Sequence, residues 1–367
     1  MTKKNKSIFK TLGKIFKFIL VTIVVFFTVN IVYLIFEYKR IPDNQELDIN
    51  LAKDFNPETW IVDTSNTYKA ISYNIGFCAY LPDFTFFMDG GTQSWAKSEQ
   101  SVRDTADSIA NLLNEENADF VSIQEADSDS TRTYHVDETK ILRQNMPKYY
   151  NVSACCFDSP FLFWPILQPH GESTSNLMTL SKYLPVNNAI RRQFPVDNSF
   201  TKILDYDRCY SVVRYPTSNG KELVWYTTHM SAYSKDPSTA ENQIKQIVED
   251  MQSESAKGNY CICGADFNKQ LVDNPENYYP KEKVYVMKNF PLEFLDGTNI
   301  KVVSPFNPDK PVGSCRDAGK VWNEKDPVCN IDGFLVSSNV QVLTSNVIDA
   351  DFQYSDHNPV YMTFRLI

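Results

Sequence analysis

Residues Phe18 to Phe36 form a run of nineteen positions without a charge, and no other stretch restricts the chain so strongly. Only Thr22, Thr28, Asn30 and Tyr33 interrupt its apolar character. Inside hydrocarbon, backbone N–H and C=O groups must be satisfied within the segment, so such a run is read as a helix. At 1.5 Å per residue it rises ~29 Å, close to the hydrocarbon core of about 30 Å. Its flanks are unequal. Lys3, Lys4, Lys6, Lys10, Lys14 and Lys17 precede it, whereas Glu37, Lys39 and Arg40 follow. The heavier positive flank stays in the cytoplasm, which predicts a single-pass cell-membrane protein with its N-terminus inside and the rest of the chain outside. A cleaved signal peptide is the competing reading. Against it, the run is long, and Tyr38-Lys39-Arg40-Ile41-Pro42 offers no small-x-small cleavage site. The expected organisation is a basic N-terminus over 1–17, an anchor over 18–38, a polar tether over 39–65 and one domain over 66–367.

That domain has the material for a large core: the chain holds 24 Phe and 20 Tyr, and 43% of it is hydrophobic. The formal net charge of −9 excludes a protein that grips long nucleic acid through an overall basic surface. It leaves open phosphate chemistry through a divalent cation, because carboxylates bind the cation and the cation meets the phosphate. Eight cysteines show no paired CxxC spacing and there are four histidines, so a zinc cluster is not expected. Cys261 and Cys263 fall in an apolar strand, where cysteine packs as a small apolar residue. Cys315 with Cys329 is the plausible loop-closing disulfide.

Strand-like and helix-like periods share residues 66–367, with no repeat or low-complexity block. Tyr68–Ile75 is a predicted strand ending near Asn74. An aromatic loop follows, with Phe84, Phe86, Phe87, Gly90 and Gly91; it suits a packed cluster, a lid or a membrane-facing loop. Val102, Ala106, Ile109, Leu112 and Leu113 recur at helical spacing over Ser101–Asn117. Asp119–Glu125 is a short strand ending in a carboxylate, and its loop carries Asp127, Asp129, Arg132, Tyr134 and His135. Arg132 there suits a phosphate contact or an ion pair. Ser173, Ser175 and Asn176 precede an apolar strand. Leu223–Tyr233 delivers His229, and Ser238–Ser255 is a second amphipathic helix. Tyr260–Cys263 leads into Gly264-Ala265-Asp266-Phe267-Asn268, where Asp266 and Asn268 share one side of an extended segment. Asp332 sits among Ile331, Phe334, Leu335 and Val336; a buried Asp needs a partner, and a histidine is the natural one. Ser355-Asp356-His357 stands just ahead of the last strand, Val360–Leu366. The pattern predicts one α/β domain with two packed sheets.

Asn74, Gln124-Glu125, Thr228-His229, Asp266-Phe267-Asn268, Ile331-Asp332 and Ser355-Asp356-His357, in that order, resemble the motifs of the endonuclease/exonuclease/phosphatase superfamily. This superfamily includes deoxyribonuclease I, abasic-site endonucleases, neutral sphingomyelinases and inositol polyphosphate 5-phosphatases. Each motif is short, and the specificity lies in the order of the six; the resemblance covers residues 66–367. It implies a deoxyribonuclease I-like four-layer α/β sandwich, two packed and mainly antiparallel sheets flanked by helices. It also implies Asn74, Glu125 and Asp356 facing a divalent cation, with Glu125 as the principal ligand. Asp266 and Asn268 would orient the attacking water and the phosphate oxygens, His229 would contact the phosphate, and Asp332 would fix the tautomer of His357. Ala265 stands where many members have a second Gly, and Asn176 in a segment that is Ser-Gly-like elsewhere. A hard cation on oxygen ligands favours Mg²⁺, with Mn²⁺ as the substitute. Arg132 and Arg316, the latter in Ser314-Cys315-Arg316-Asp317, are candidates for substrate phosphate contacts. The expected function is a membrane-anchored, metal-dependent phosphoesterase acting by in-line attack of water on a lipid or small phosphoester. A nuclease outside the cell is the alternative, and a non-catalytic binding module the third reading. No obligate protein partner is evident.

Overall fold

The computed structural model describes residues 3–38, 40–54, 60–195, 207–232 and 237–367. The expected tether residues Lys39 and 55–59, and the expected strand end at Tyr233, lie outside them.

Two seven-stranded sheets face each other. The first runs β15 (Val340–Val347), β16 (Val360–Leu366), β3 (Tyr68–Asn74), β4 (Phe120–Ser130), β6 (Gly171–Ser181), β5 (Tyr150–Leu162) and β2 (Ile49–Asn50). The second runs β1 (Gln45–Leu47), β7 (Ala189–Gln193), β8 (Cys209–Pro216), β9 (Glu222–His229), β10 (Tyr260–Asp266), β14 (Asp332–Ser337) and β11 (Ile300–Val303). All pairings within the sheets are antiparallel except β3 with β4 and β9 with β10. A parallel pair needs a long crossover, and each has a helix: α2 (Glu99–Glu116) between β3 and β4, and α4 (Pro237–Ala256) between β9 and β10. α2 and α3 (Glu138–Asn145) bury their apolar sides on the first sheet, through Val102, Ala106, Ile109, Leu113 and Leu142. α4 buries Ile244, Ile247, Val248 and Met251 on the second. The four-layer sandwich is the one expected.

Strand alternation assigns the faces. Tyr68 and Ala70 of β3, Phe120 of β4, Leu223 and Trp225 of β9, Tyr260 and Ile262 of β10, and Phe334 and Val336 of β14 fill the space between the sheets. Ile71, Tyr73, Val121 and Ile123 point out to the helices on the first side. Further along the same inward faces the residues turn small and polar. Ser122 and Thr179 both reach Thr227 at 2.8 Å, and the indole N–H of Trp225 donates to Ser122 at 2.9 Å. Beyond this polar layer the strands end.

Two expectations need correction. The stretch 39–65 is not all tether: Gln45–Leu47 pairs with β7 and Ile49–Asn50 with β5, so it closes one edge of each sheet. Strands of two and three residues are too short to show a period, which is why they were invisible in the sequence. Cys315 and Cys329 face each other across the ribbon of β12 (Cys315–Arg316) and β13 (Val328–Cys329), but as free thiols. The N-terminal run is helical as expected, in α1 (Lys3–Glu37), and Lys10–Glu37 is long and apolar enough to cross a membrane.

Candidate active site

The parallel pairs bring the candidate side chains to one end of the sandwich. Asn74 closes β3, His229 closes β9 and Asp266 closes β10. His229, Asp266 and Asp332 are register partners across β9, β10 and β14, so they form a row at the rim of the second sheet. All three keep the inward parity of Trp225, Ile262 and Phe334. Glu125 does not follow alternation. Strict parity with Val121 and Ile123 would aim it at the helices. A bulge between Ile123 and Ala126, with Glu125 at φ 57°, turns the carboxylate into the site.

Asn74 joins the two sheets. Its Nδ2 donates to Glu125 Oε1 at 3.1 Å and to Asp266 Oδ2 at 3.0 Å, and its Oδ1 accepts from the Gly76 N–H at 3.0 Å. His357 comes from the turn before β16. Its Nδ1 lies 2.9 Å from Asp332 Oδ2, and its Nε2 lies 3.7 Å from Asp266 Oδ2. The turn is fixed by Ser355, whose Oγ donates to Asn74 O at 2.9 Å and accepts from the His357 N–H at 3.2 Å. His229 packs against the same acids, with Nε2 3.4 Å from Asp266 and Nδ1 3.7 Å from Glu125. Asn268 donates its backbone N–H to Asp266 Oδ1 at 2.9 Å and its side chain to Met230 O at 2.8 Å.

The matching family model, described as the Endonuclease/Exonuclease/phosphatase family, spans residues 71–357, which runs from β3 through His357. The chain belongs to this family. Solved structures agree on the fold. An endonuclease/exonuclease/phosphatase from Beutenbergia cavernae is 17% identical, with a TM-score of 0.57 over 82% of this chain and 72% of that one. The human Nocturnin catalytic domain with bound sulfate is 12% identical, with a TM-score of 0.52 over 88% and 97%. D. rerio TDP2 in complex with a single-strand DNA product is 14% identical, with a TM-score of 0.52 over 82% and 99%. No curated protein matches the sequence. Family members are hydrolases of phosphoester bonds, and this chain is one by membership.

In this family member the burial of so many acids has a measurable consequence. Burial, reinforced by Asp356, pushes Glu125 up to about 7, and burial with Asp332 pushes Asp266 up to about 6. The two histidines are driven apart. Burial opposes charge on His357, yet Asp332 beside it prevails and holds its pKa well above the usual imidazole value. His229 is held well below that value by burial, Arg208 and His357. The fold therefore favours the charged form of the imidazole beside Asp332 and the neutral form of the other.

Carboxylates crowded to this degree fit a divalent cation, which would restore the charges that burial suppresses. The closest set of ligand-type atoms among the described residues is on Asp266, Asp332 and His357. Asp332 and His357 already satisfy each other, which makes that set a held imidazole. Glu125 and Asp356 offer the carboxylate oxygens that a hard cation takes, whereas Asn74 turns its Nδ2 toward the acids and its Oδ1 toward Gly76.

The acids lie on the floor of a cavity of ≈ 750 Å³. Phe77, Tyr80, Phe86, Phe87 and Trp164 form an aromatic wall there, so the loop around Phe84 is a packed cluster that also faces the site. Arg132 and Arg316 both line the cavity and are buried, and each is held by the protein. Arg132 is gripped bidentately by Asp127 at 2.8 and 2.9 Å and lies 3.7 Å over the Phe77 ring. Arg316 donates to the carbonyls of Tyr80, Leu81 and Asp317. They are part of the wall rather than arms reaching from the surface.

Three residues escaped the sequence. Ser314 donates to Asp332 Oδ2 at 2.6 Å and so helps fix the dyad. Arg208 reaches His229 O at 3.4 Å and lines the cavity. His170 lies tilted against Phe86 and Phe87, and burial lowers its pKa to about 3. Ser314 stands in the stretch quoted for Arg316 but was given no role there; nothing in the sequence marked the other two.

Proposed function

We propose that this chain is a divalent-cation-dependent phosphoesterase anchored in the cell membrane by α1, with its domain outside, acting on a lipid or small phosphoester. The observation that carries this reading is the row of His229, Asp266 and Asp332 opposed by Asn74 and Glu125 across the sandwich, with His357 held between. In-line displacement at phosphorus needs a directed water, a stabilised equatorial charge and help for the leaving group. Asp266 is the residue to orient the water and take its proton, and Asn268, fixed beside it, contacts a phosphate oxygen. His357, charged and held by Asp332, stabilises developing negative charge or delivers a proton. Neutral His229 donates to the phosphate. Glu125 and Asp356 are the residues to hold Mg²⁺ or Mn²⁺, joined by Asn74 once its amide turns Oδ1 inward; the cation supplies charge neutralisation when bound. Arg132 and Arg316 add positive potential to the cavity wall.

The aromatic wall and the acidic chain favour a lipid or small ester over long nucleic acid. The likeness to a TDP2 structure holding a DNA product keeps a nuclease as the second reading. Purified full-length protein with Mg²⁺ should hydrolyse bis-p-nitrophenyl phosphate and lose this with EDTA. A parallel panel of plasmid DNA, sphingomyelin, phosphoinositides and mononucleotides separates the substrates. Plasmid cleavage without lipid turnover would sink the lipid reading.

A further inference from the structure

The turn between β5 and β6 carries Phe163, Trp164, Pro165, Ile166 and Leu167. Phe163 is 41% exposed, Trp164 65%, Ile166 70% and Leu167 99%. Four large, exposed apolar side chains within five consecutive positions are costly in water and mark a contact surface. The base of the turn is braced: Trp95 Nε1 donates to Pro169 O at 2.6 Å, Ser94 Oγ to Gln168 O at 2.7 Å, and the His170 N–H to Trp164 O at 3.0 Å. It is a preformed tip.

What covers it is indicated by its neighbour. The Phe163 ring lies 6.1 Å from that of Phe26 and 6.3 Å from that of Tyr33, both on the apolar helix α1. The Phe161 N–H donates to Tyr33 Oη at 3.3 Å. At 1.5 Å per residue, Tyr33 lies ~6 Å and Phe26 ~17 Å along the axis from Glu37, where the apolar span ends. Phe163 therefore sits at a depth that the span itself assigns to lipid.

The tip also belongs to the cavity. Leu162 and Trp164 line it, together with Met88 and Tyr285, which are 65% and 38% exposed. The opening thus carries an apolar edge beside a membrane helix.

We propose that Phe163–Leu167 is a second membrane contact, inserted in the leaflet on the domain's side, which sets the cavity mouth against the bilayer so that a lipid phosphodiester reaches the acids without leaving the membrane. The catalytic half of this rests on the lipid reading above; the membrane contact does not. The lysines before the span stand on the opposite side, so the domain facing this leaflet is more acidic than the whole-chain −9. A zwitterionic surface suits it better than an anionic one.

The test uses full-length protein in phosphatidylcholine nanodiscs, with plain or brominated acyl chains. Bromine quenches nearby indole, and Trp164→Phe removes only the tip indole. Brominated lipid should quench the wild type more than Trp164→Phe. Equal quenching overturns the contact, even where lipid is hydrolysed. Ile166 and Leu167 lie outside the cavity lining, so Ile166→Ser/Leu167→Ser should keep bis-p-nitrophenyl phosphate hydrolysis while losing at least tenfold on sphingomyelin or phosphatidylinositol in the same discs. Undiminished lipid turnover by this variant overturns the presenting role. A quenching difference with no lipid hydrolysed by the wild type supports the contact and rejects the lipid reading instead.

Discussion

At the scale of single residues, the site's chemistry depends on charges held away from their ordinary values. Glu125 gives the sharpest consequence. Its carboxyl titrates at about 7 in the fold against an ordinary 4.5. Below pH 4.5 it is neutral in both folded and unfolded chains and costs nothing. As pH rises through 7 the folded chain must ionise it at a cost of about 3 kcal/mol. In EDTA, Glu125→Gln should then be more stable than wild type at pH 8 and nearly equal to it at pH 4.5, as read by urea unfolding. Mg²⁺ should raise the wild-type melting temperature more than that of the variant. Because a cation displaces protons from Glu125 and Asp266, its affinity by calorimetry should tighten from pH 5.5 to 8, with net proton release. The dyad makes a separate prediction. Asp332→Asn removes the charge that fixes imidazolium at His357, and His357→Ala removes the ring. Both should lower kcat on bis-p-nitrophenyl phosphate by about 10²–10⁴-fold with little change in KM. Retained activity in either variant would reject the assignment. Asp332 and His357 could be matched in the sequence because a buried acid requires a partner. Ser314, which completes the set, could not, since a serine in a loop advertises nothing.

At the scale of elements, two strand–helix–strand units, β3–α2–β4 and β9–α4–β10, present their C-terminal ends to one another. Asn74, His229 and Asp266 were legible as polar ends of apolar strands and Asp332 as an acid in apolar company, and their order with the other motifs tied them together; the structure sets all four on inward faces. Glu125 was found through its neighbours rather than its parity, because a bulge depends on backbone geometry that no side-chain pattern records. Arg132 and Arg316 were legible as charges; their burial beneath Phe77 and against the Tyr80 carbonyl follows from tertiary packing. The spacing of the sheets is set where they touch. A Cβ on Gly264 would lie 2.5 Å from Ser122 Oγ and 2.8 Å from Ser122 Cβ. Gly264→Ala must push β10 away from β4, at an overpacking cost of about 1–3 kcal/mol. Asp266 stands two residues on along β10, so the same change should reduce kcat. Ser122→Gly in the same chain should recover part of both losses, measured by urea midpoint and turnover. A neutral Gly264→Ala would mean that the sheets are not in contact there.

At the scale of the whole molecule, the question is how the domain is joined to the apolar helix α1. The link is short and structured at its far end. Arg191 donates to the carbonyl of Pro42 at 3.0 Å, the Gln193 N–H donates to Asp43 Oδ1 at 2.8 Å, and Gln45–Leu47 extends the sheet beyond β7. Residues 42–47 thus pack on the second sheet, contacts the sequence hid because charged, aperiodic residues can form an edge as well as a tether. A chain starting at residue 40 should melt several degrees above one starting at 66, because the shorter chain strips an edge from each sheet and leaves the Arg191 guanidinium with unmet donors in a buried position. Equal melting would return residues 40–65 to the status of a tether. With α1 spanning a bilayer, as proposed, the same short link would limit how far the domain can turn from it, so the side of the membrane matters. Six lysines before the span against Lys39 and Arg40 after it favour the domain outside. Intact cells expressing the chain should therefore hydrolyse an ester that cannot enter them, and a protease added outside should remove that activity without lysis. Activity that appears only after lysis would reverse the orientation, and with it the leaflet from which the cavity takes its ester.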